Sequence, residues 1–133
     1  MWIAGFYAGL GALLIIALAI RVMWLRNTQS VGLGSGGHEG LARAIRAHAN
    51  AAEYLPVALL MLVVLAFEQP RPWLLHLFGI VLVAGRVLHA IGLSGSPGRS
   101  FGRVAGIVLT LLVMLAMAGM LVVRSSMIAA SGI

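Results

Sequence analysis

The sequence predicts an all-α membrane protein, built as a four-helix transmembrane bundle. Of its 133 residues, 62% are hydrophobic and 9% are charged, whereas about a quarter of the residues in a soluble domain are charged. The mean hydropathy is +1.08. The apolar residues form four runs, and three of the runs approach the length of about 20 residues that crosses a hydrocarbon core. The protein therefore uses lipid as its solvent.

The first predicted helix covers about residues 2–25. It contains an uncharged run from Trp2 to Ile20, which ends at Arg21. An apolar run at the start of a chain is also typical of a signal peptide. No Lys or Arg precedes this run, however, and a signal peptide usually carries such charges before its apolar core. We therefore expect a retained first helix.

The second predicted helix covers about residues 39–67. Its uncharged run, Tyr54 to Phe67, is too short to cross the membrane alone. The helix must therefore extend back into the polar segment as far as Glu39. The segment from Asn27 to Gly37 is rich in Gly and Ser, a composition that predicts a loop between the first two helices.

The third and fourth predicted helices cover about residues 72–93 and 101–124. A tight turn with two prolines precedes the third helix, and Pro72 is well suited to the first position of a helix. The segment from Ser94 to Gly98 predicts the loop between these helices. We expect residues 1–133 to form a single four-helix transmembrane domain.

The arginines predict the orientation of the chain. Two of the nine basic residues, Arg71 and Arg124, lie on the side of the second loop and the termini. The other seven lie next to the first and third loops: Arg21, Arg26, Arg43, Arg46, Arg86, Arg99 and Arg103. Positive charge marks cytoplasmic loops. We therefore expect a multi-pass membrane protein with both termini outside the cytoplasm.

The charge and the residue types also argue against other classes of function. The net charge is +6 and the isoelectric point is about 11.7, but the arginines lie at the ends of apolar runs, where lipid head groups attract them. Nucleic-acid binding is therefore not expected. The chain has no Cys and four scattered His. The absence of Cys excludes a Cys-based metal site. Because the four His do not form a close pair in the sequence, we assign no metal.

A polar stripe on the second helix is the most informative feature of the sequence. At 100° per residue its members share an arc of about 100°; they are Glu39, Arg43, Arg46, Asn50, Glu53 and Tyr54. Glu53 is the deepest charge, and a lone carboxylate inside a membrane costs several kcal/mol. Glu53 could pair with Arg46 or another arginine to hold helices together. Alternatively, the surplus of arginines over carboxylates suits an anionic ligand.

Four further polar residues lie near the cytoplasmic ends of the third and fourth helices. Arg86 and His89 share a face of the third helix, and Arg99 and Arg103 lie where the fourth begins. Taken singly, each is expected to extend to lipid phosphates. The pairs Gly5–Gly9 and Gly102–Gly106 have the spacing of a close helix contact, but small residues are common in membrane helices, and we attribute either pair taken alone to chance.

The stripe resembles the second helix of the MAPEG family, the membrane-associated proteins in eicosanoid and glutathione metabolism. The similar motif is Arg46-x3-Asn50-x2-Glu53-Tyr54, followed by Pro56. Length, four spans, a polar first loop and Arg103 at the start of the fourth helix also fit, so the resemblance covers most of the chain. Within the family, the chain resembles the bacterial members that are similar to microsomal glutathione transferases.

The resemblance implies a homotrimer that binds glutathione between adjacent subunits, with an apolar second substrate arriving from the lipid. Arg103 matches the catalytic arginine that stabilises the glutathione thiolate, and Arg99 is the competing alignment. The remaining glutathione-binding positions implied are Arg21, Arg43, Arg46, Asn50, Glu53, Tyr54 and His89. His89 and Leu93 stand where leukotriene synthase-like members carry tyrosines, which argues against leukotriene synthesis.

The sequence thus predicts a glutathione-dependent transferase or peroxidase with a role in detoxification. Its partners would be glutathione or a similar low-molecular-weight thiol as co-substrate, a lipophilic electrophile or hydroperoxide, membrane lipids and other copies of the chain. A non-catalytic lipid-binding or scaffolding protein of the same fold is the alternative. A small drug exporter fits less well, because such exporters usually carry a carboxylate inside the first span and the run from Trp2 to Ile20 has none.

Overall fold

Four long helices make up the fold. The computed structural model describes residues 1–95 and 98–131, and the regular structure in these residues is helical. The helices are α1 (Trp2–Gln29), α2 (Glu39–Phe67), α3 (Pro72–Gly95) and α4 (Phe101–Ala130). Each is long and apolar enough to cross a membrane. The predicted fold class is confirmed, and the chain is a multi-pass integral membrane protein.

Three helices extend further than the sequence indicated. Instead of ending near residues 25, 93 and 124, α1, α3 and α4 end at Gln29, Gly95 and Ala130. The apolar runs mark the part of each helix inside the hydrocarbon core, whereas the backbone hydrogen bonds of the helix continue until a residue ends them. In α1 this residue is Ser30, whose left-handed backbone (φ 54°) lets the N–H of Val31 reach the carbonyl of Arg26 at 3.0 Å. Residues 96 and 97 of the predicted third loop lie outside the described residues.

Two side-chain contacts relate the directions of α1 and α3. At one end of the bundle, the Tyr7 hydroxyl of α1 lies 3.0 Å from Nδ1 of His76 in α3. At the other end, Arg21 of α1 donates to the hydroxyl of Ser94 in α3. Therefore α1 and α3 run in the same direction, and the connections make α2 antiparallel to both.

The end of α4 meets the end of α2, so these two helices also run in the same direction. Nε of Arg124 lies 3.0 Å from a carboxylate oxygen of Glu68, next to the last residue of α2. Within the described residues, α2 and α3 each contact all of the other helices, whereas α1 and α4 do not contact each other. The pair α2–α3 therefore forms the centre of the bundle.

Glycines bring α3 and α4 very close together. A Cβ atom added to Gly106 would lie 2.5 Å from the carbonyl oxygen of Gly85 and from the backbone nitrogen of His89. Gly102 faces the carbonyl of Leu88 in the same way. The interpretation of the Gly102 and Gly106 spacing as chance was therefore wrong, because both residues form the contact with α3. This contact fixes where α4 begins relative to the end of α3.

Candidate functional site

The candidate site lies inside the membrane, close to the arginine-rich surface. A hydrocarbon core of about 30 Å takes about 20 helical residues. Counted back from the last residue of α2, this length reaches His48, and counted forward from the first residue of α3 it reaches Ile91. Asn50 therefore lies about half a turn inside the core, and Glu53 and Arg86 lie about one and a half turns inside it. Polar groups at this depth need partners.

The polar face of α2 divides into an inner and an outer part. Asn50 and Tyr54 are half-buried on the side that meets α3, whereas Arg46 and Glu53 are exposed. These four residues are the matching positions of the motif. One helix turn separates Arg46 from Asn50, and another separates Asn50 from Tyr54, so the spacing of the sequence produces this arrangement directly. The helix continues without interruption through Pro56.

Arg86 of α3 is the centre of the inner part, and the sequence did not reveal its role. Its side chain is 0% exposed. Nη2 donates to Oδ1 of Asn50 at 2.5 Å, and the guanidinium carbon lies 5.4 Å from the ring centroid of Tyr54. The expectation that Arg86 extends to lipid phosphates was wrong, because α2 and α3 enclose it.

The charge of Arg86 is poorly compensated. Nε and Nη1 are buried and have no hydrogen-bond partner among the described residues. Neither of the two ion pairs formed by the described residues, Arg43–Glu39 and Arg124–Glu68, includes it. An amide oxygen and an aromatic face are therefore its neighbours, and they stabilise a cation less than a carboxylate does. The inner part of the site is cationic.

Glu53 does not form the helix-holding ion pair that was one interpretation of the sequence. Within the described residues it takes part in no salt bridge, and both it and Arg46 are exposed on the outer part of the face. A carboxylate at this depth is costly against lipid alone. The outer part of the face therefore presents one anion and one cation that are available to a ligand or to another protein chain.

The junction of α3 and α4 lies beside this face. His89, one turn after Arg86, is buried and its Nδ1 lies 2.8 Å from the carbonyl oxygen of Arg103. The hydroxyl of Ser100 accepts from the backbone N–H of Arg103 and donates to the carbonyl of Gly92. The expectation that His89 extends to lipid phosphates was wrong as well, because its ring is buried and hydrogen-bonded to α4.

The structure does not bring all of the predicted site residues together within one chain. The Arg103 side chain is half-buried, and its Nη1 donates to the carbonyl of Gly98 at 3.3 Å. Arg43 pairs with Glu39 at 3.2 Å, Arg21 bonds to Ser94, and Arg99 is exposed. Among the described residues, Asn50 and Tyr54 both contact Arg86, and His89 contacts Arg103.

Metal ligation has no basis in the described residues, since no three His or Glu side chains among them are close enough to share an ion. The available chemistry is that of guanidinium, carboxamide, phenol and a single carboxylate. Guanidinium groups bind carboxylates and stabilise anions. The carboxylate can accept from an ammonium or amide group. This combination suits a ligand that carries both signs of charge.

Comparison with known proteins identifies the family. The sequence profile of the MAPEG family matches residues 4–123. The chain belongs to the MAPEG family. Inner membrane protein YecN of Escherichia coli strain K12 is 39% identical over 90 residues, which are 68% of this chain and 69% of YecN. YecN of E. coli O6:H1 strain CFT073 is similar to the same extent. The resemblance seen in the α2 motif is thereby confirmed.

The α2 motif that resembles the MAPEG family consists of the residues that divide into an inner and an outer part of the face. The four motif residues span about two turns of α2, with Asn50 and Tyr54 against Arg86 and with Arg46 and Glu53 exposed. The position of Arg86 on α3 agrees with its burial, although only the structure shows this. It follows Gly85, which contacts α4, and it repeats at helical spacing with the buried Leu82, His89 and Leu93.

Proposed function

We propose that this protein is a membrane-bound, glutathione-dependent transferase or peroxidase that acts on lipophilic electrophiles or hydroperoxides. The E. coli relative is named as an inner membrane protein, and we assign this chain to the same membrane. Glutathione would bind on the outer part of the α2 face, and three copies of the chain would surround the site. Membership of the MAPEG family supports the proposal.

The observation that carries the proposal is the exposed state of Glu53 at membrane depth, with Arg46 exposed about two turns nearer the surface and neither charge in a salt bridge within the described residues. The Glu53 charge would be costly against lipid alone, so the face is built to be covered. Glutathione carries two carboxylates and one ammonium group. Its carboxylates fit Arg46 and the neighbouring arginines, and its ammonium fits Glu53. A purely apolar ligand would leave both charges without partners.

The chemistry requires a cation near the sulfur. A free thiol has a pKa of about 8.5, and an adjacent cation lowers this pKa, so that more thiolate is present at neutral pH. We assign this role to Arg103, which opens α4 at the same membrane surface. Its guanidinium donates to the carbonyl of Gly98, and a thiolate would be a stronger acceptor than that carbonyl.

Two reactions are open to a bound thiolate. In transfer, the sulfur forms a bond to an electrophilic carbon while the leaving group departs with its electron pair. In hydroperoxide reduction, the sulfur attacks the terminal oxygen, the oxygen–oxygen bond breaks, and the alkoxide takes a proton. The resulting sulfenic acid then reacts with a second glutathione to give the disulfide and water.

The lipophilic substrate would reach the sulfur from the lipid. An open apolar groove lies between α2 and α4, and it is lined by Val57, Met61, Leu111, Met114, Leu115 and Ala118. Val57 is one helix turn beyond Glu53, on the same side of α2. The groove therefore meets the polar face, and an apolar molecule in it would lie next to glutathione.

An assay with purified protein tests the proposed function. Protein reconstituted in lipid is mixed with glutathione and an activated aryl chloride, and separately with a fatty-acid hydroperoxide. We expect product formation that saturates with glutathione and is retained by Arg71→Gln, since Arg71 is exposed at the opposite surface. No reaction with either substrate, in protein shown to be folded, would favour a non-catalytic lipid-binding or scaffolding role.

The trimer is proposed for the same reason as the ligand. The exposed charge of Glu53 at membrane depth needs a covering surface, and α4 of another copy would provide it. Native mass spectrometry from mild detergent should show a trimer as the main species. A spectrum containing monomer alone, at protein concentrations where activity is measured, would contradict the assembly.

A further inference from the structure

Arg86 has no place in the proposed chemistry, yet it is the most completely buried charged group in the described part of the chain. A buried cation without a carboxylate partner is expensive to keep. Apolar residues of similar size are often equally stable or more stable at such positions. The contacts of Arg86 therefore indicate a role other than stability.

The contact with Asn50 determines the orientation of a side chain of the site. Arginine has donors and no acceptor, so the Asn50 atom that faces it must be the amide oxygen. The oxygen and nitrogen of a carboxamide lie on opposite sides of one carbon. The amide nitrogen of Asn50, with its two hydrogens, therefore points away from Arg86.

The contact with Tyr54 acts on a second residue of the same face. The guanidinium of Arg86 lies over the ring of Tyr54, 5.4 Å from its centroid. A cation on an aromatic face holds the ring through electrostatic attraction. One buried side chain on α3 thus holds two neighbouring residues of the α2 motif, one by its oxygen and the other by its ring.

We propose that Arg86 is a positioning residue, which fixes Asn50 so that its amide group donates to an acceptor atom of the ligand and holds Tyr54 beside it. This inference rests on the proposed function, because it concerns the glutathione site. It specifies that Asn50 recognises a carboxylate or carbonyl oxygen of glutathione. A side chain at position 50 that only accepts hydrogen bonds, such as aspartate, cannot donate to that glutathione oxygen.

Two substitutions test this role in opposite ways. Asn50→Asp keeps the shape of the side chain and gives Arg86 a carboxylate partner, but it removes both outward donors. We expect a higher midpoint of thermal unfolding and an affinity for glutathione that is lower by about tenfold or more. Arg86→Met removes the buried charge without removing the apolar contacts. We expect an unchanged or higher midpoint and an affinity lower by roughly three- to tenfold.

The measurement is calorimetric titration of glutathione into wild type and variants in lipid nanodiscs, with thermal unfolding of the same samples. Arg86→Gln is the matched control, because it keeps a donor for Asn50 and should bind more tightly than Arg86→Met. If Arg86→Met does not fold, Asn50→Asp still tests the inference with Arg86 in place.

The outcomes separate this inference from the proposed function. Wild type that binds glutathione, together with an Asn50→Asp variant that binds it equally well, overturns the positioning role and leaves the proposed function intact. The same holds if Arg86→Met lowers the unfolding midpoint strongly and leaves the affinity unchanged, since Arg86 would then be structural. A folded wild type that binds no glutathione overturns the proposed function, and the inference with it.

Discussion

Nδ1 of His89 donates a hydrogen bond to the carbonyl oxygen of Arg103, across 2.8 Å. A carbonyl oxygen only accepts, so the proton must be on Nδ1. The bond joins the last third of α3 to the first turn of α4, where the carbonyls of a helix ordinarily bond within the helix. It therefore fixes the height of Arg103 relative to α3, and through it the position of the proposed catalytic guanidinium.

Loss of this bond should destabilise the protein. His89→Leu removes the donor from a buried position and leaves the Arg103 carbonyl with one partner fewer, which should lower the free energy of unfolding by about 1–3 kcal/mol. Denaturant titration in micelles measures the change. His48→Leu is the control, because His48 is half-buried and has no hydrogen-bond partner among the described residues. Equal effects of the two substitutions would show that the bond contributes nothing specific.

A single methyl group added at the contact between α3 and α4 should destabilise the protein. In Gly106→Ala the new Cβ would lie 2.5 Å from the carbonyl oxygen of Gly85, and backbone atoms must shift. We expect a loss of roughly 1–3 kcal/mol. Gly119→Ala on the same helix is the control, because no described atom lies within 4 Å of the added Cβ, and it should be neutral or slightly stabilising. Thermal unfolding of both variants compares them, and a Gly106→Ala protein as stable as wild type would contradict the close packing.

The four spans and the polar stripe of α2 could be predicted because both are properties of one segment at a time. Length and hydropathy define a span, and helical periodicity places Asn50, Glu53 and Tyr54 on one face. The burial of Arg86 could not be predicted in this way. In a membrane, the residues that face lipid are as apolar as those that face another helix, so the apolar neighbours of Arg86 do not reveal which side is enclosed.

The orientation of the bundle remains a prediction from the arginine distribution, with both termini outside the cytoplasm. Single cysteines at Ser35 in the first loop and Ser131 after α4 test it, since the natural chain has no Cys. In intact spheroplasts, an impermeant thiol reagent should label Ser131→Cys and leave Ser35→Cys unlabelled until the membrane is opened. The reverse pattern of labelling would invert the orientation.

Glu53 should act mainly in binding. Its charge would contact the ammonium of glutathione both before and during the reaction, so Glu53→Gln should raise KM for glutathione by about ten- to a hundredfold and change kcat little. Steady-state kinetics with glutathione as the varied substrate measures both constants. A variant whose KM is that of wild type would place the ammonium elsewhere.

Arg103 should act mainly in the chemical step. Without its cation the pKa of the bound thiol rises, so Arg103→Ala should lower kcat at neutral pH by about tenfold or more and shift the pH–rate profile to higher pH. The oligomer size and unfolding midpoint of the variant must match those of wild type for this comparison. If an assembled Arg103→Ala protein keeps the wild-type profile, Arg99 becomes the residue to examine next.

The most direct measurement is the ultraviolet absorbance of thiolate when glutathione is added to the purified protein near neutral pH. We predict that absorbance rises to a plateau as glutathione fills one kind of site, that Arg103→Ala reduces the rise, and that Arg71→Gln leaves it unchanged. If folded wild-type protein produces no thiolate absorbance beyond that of free glutathione at the same pH, the proposed thiolate-stabilising site does not exist in this protein.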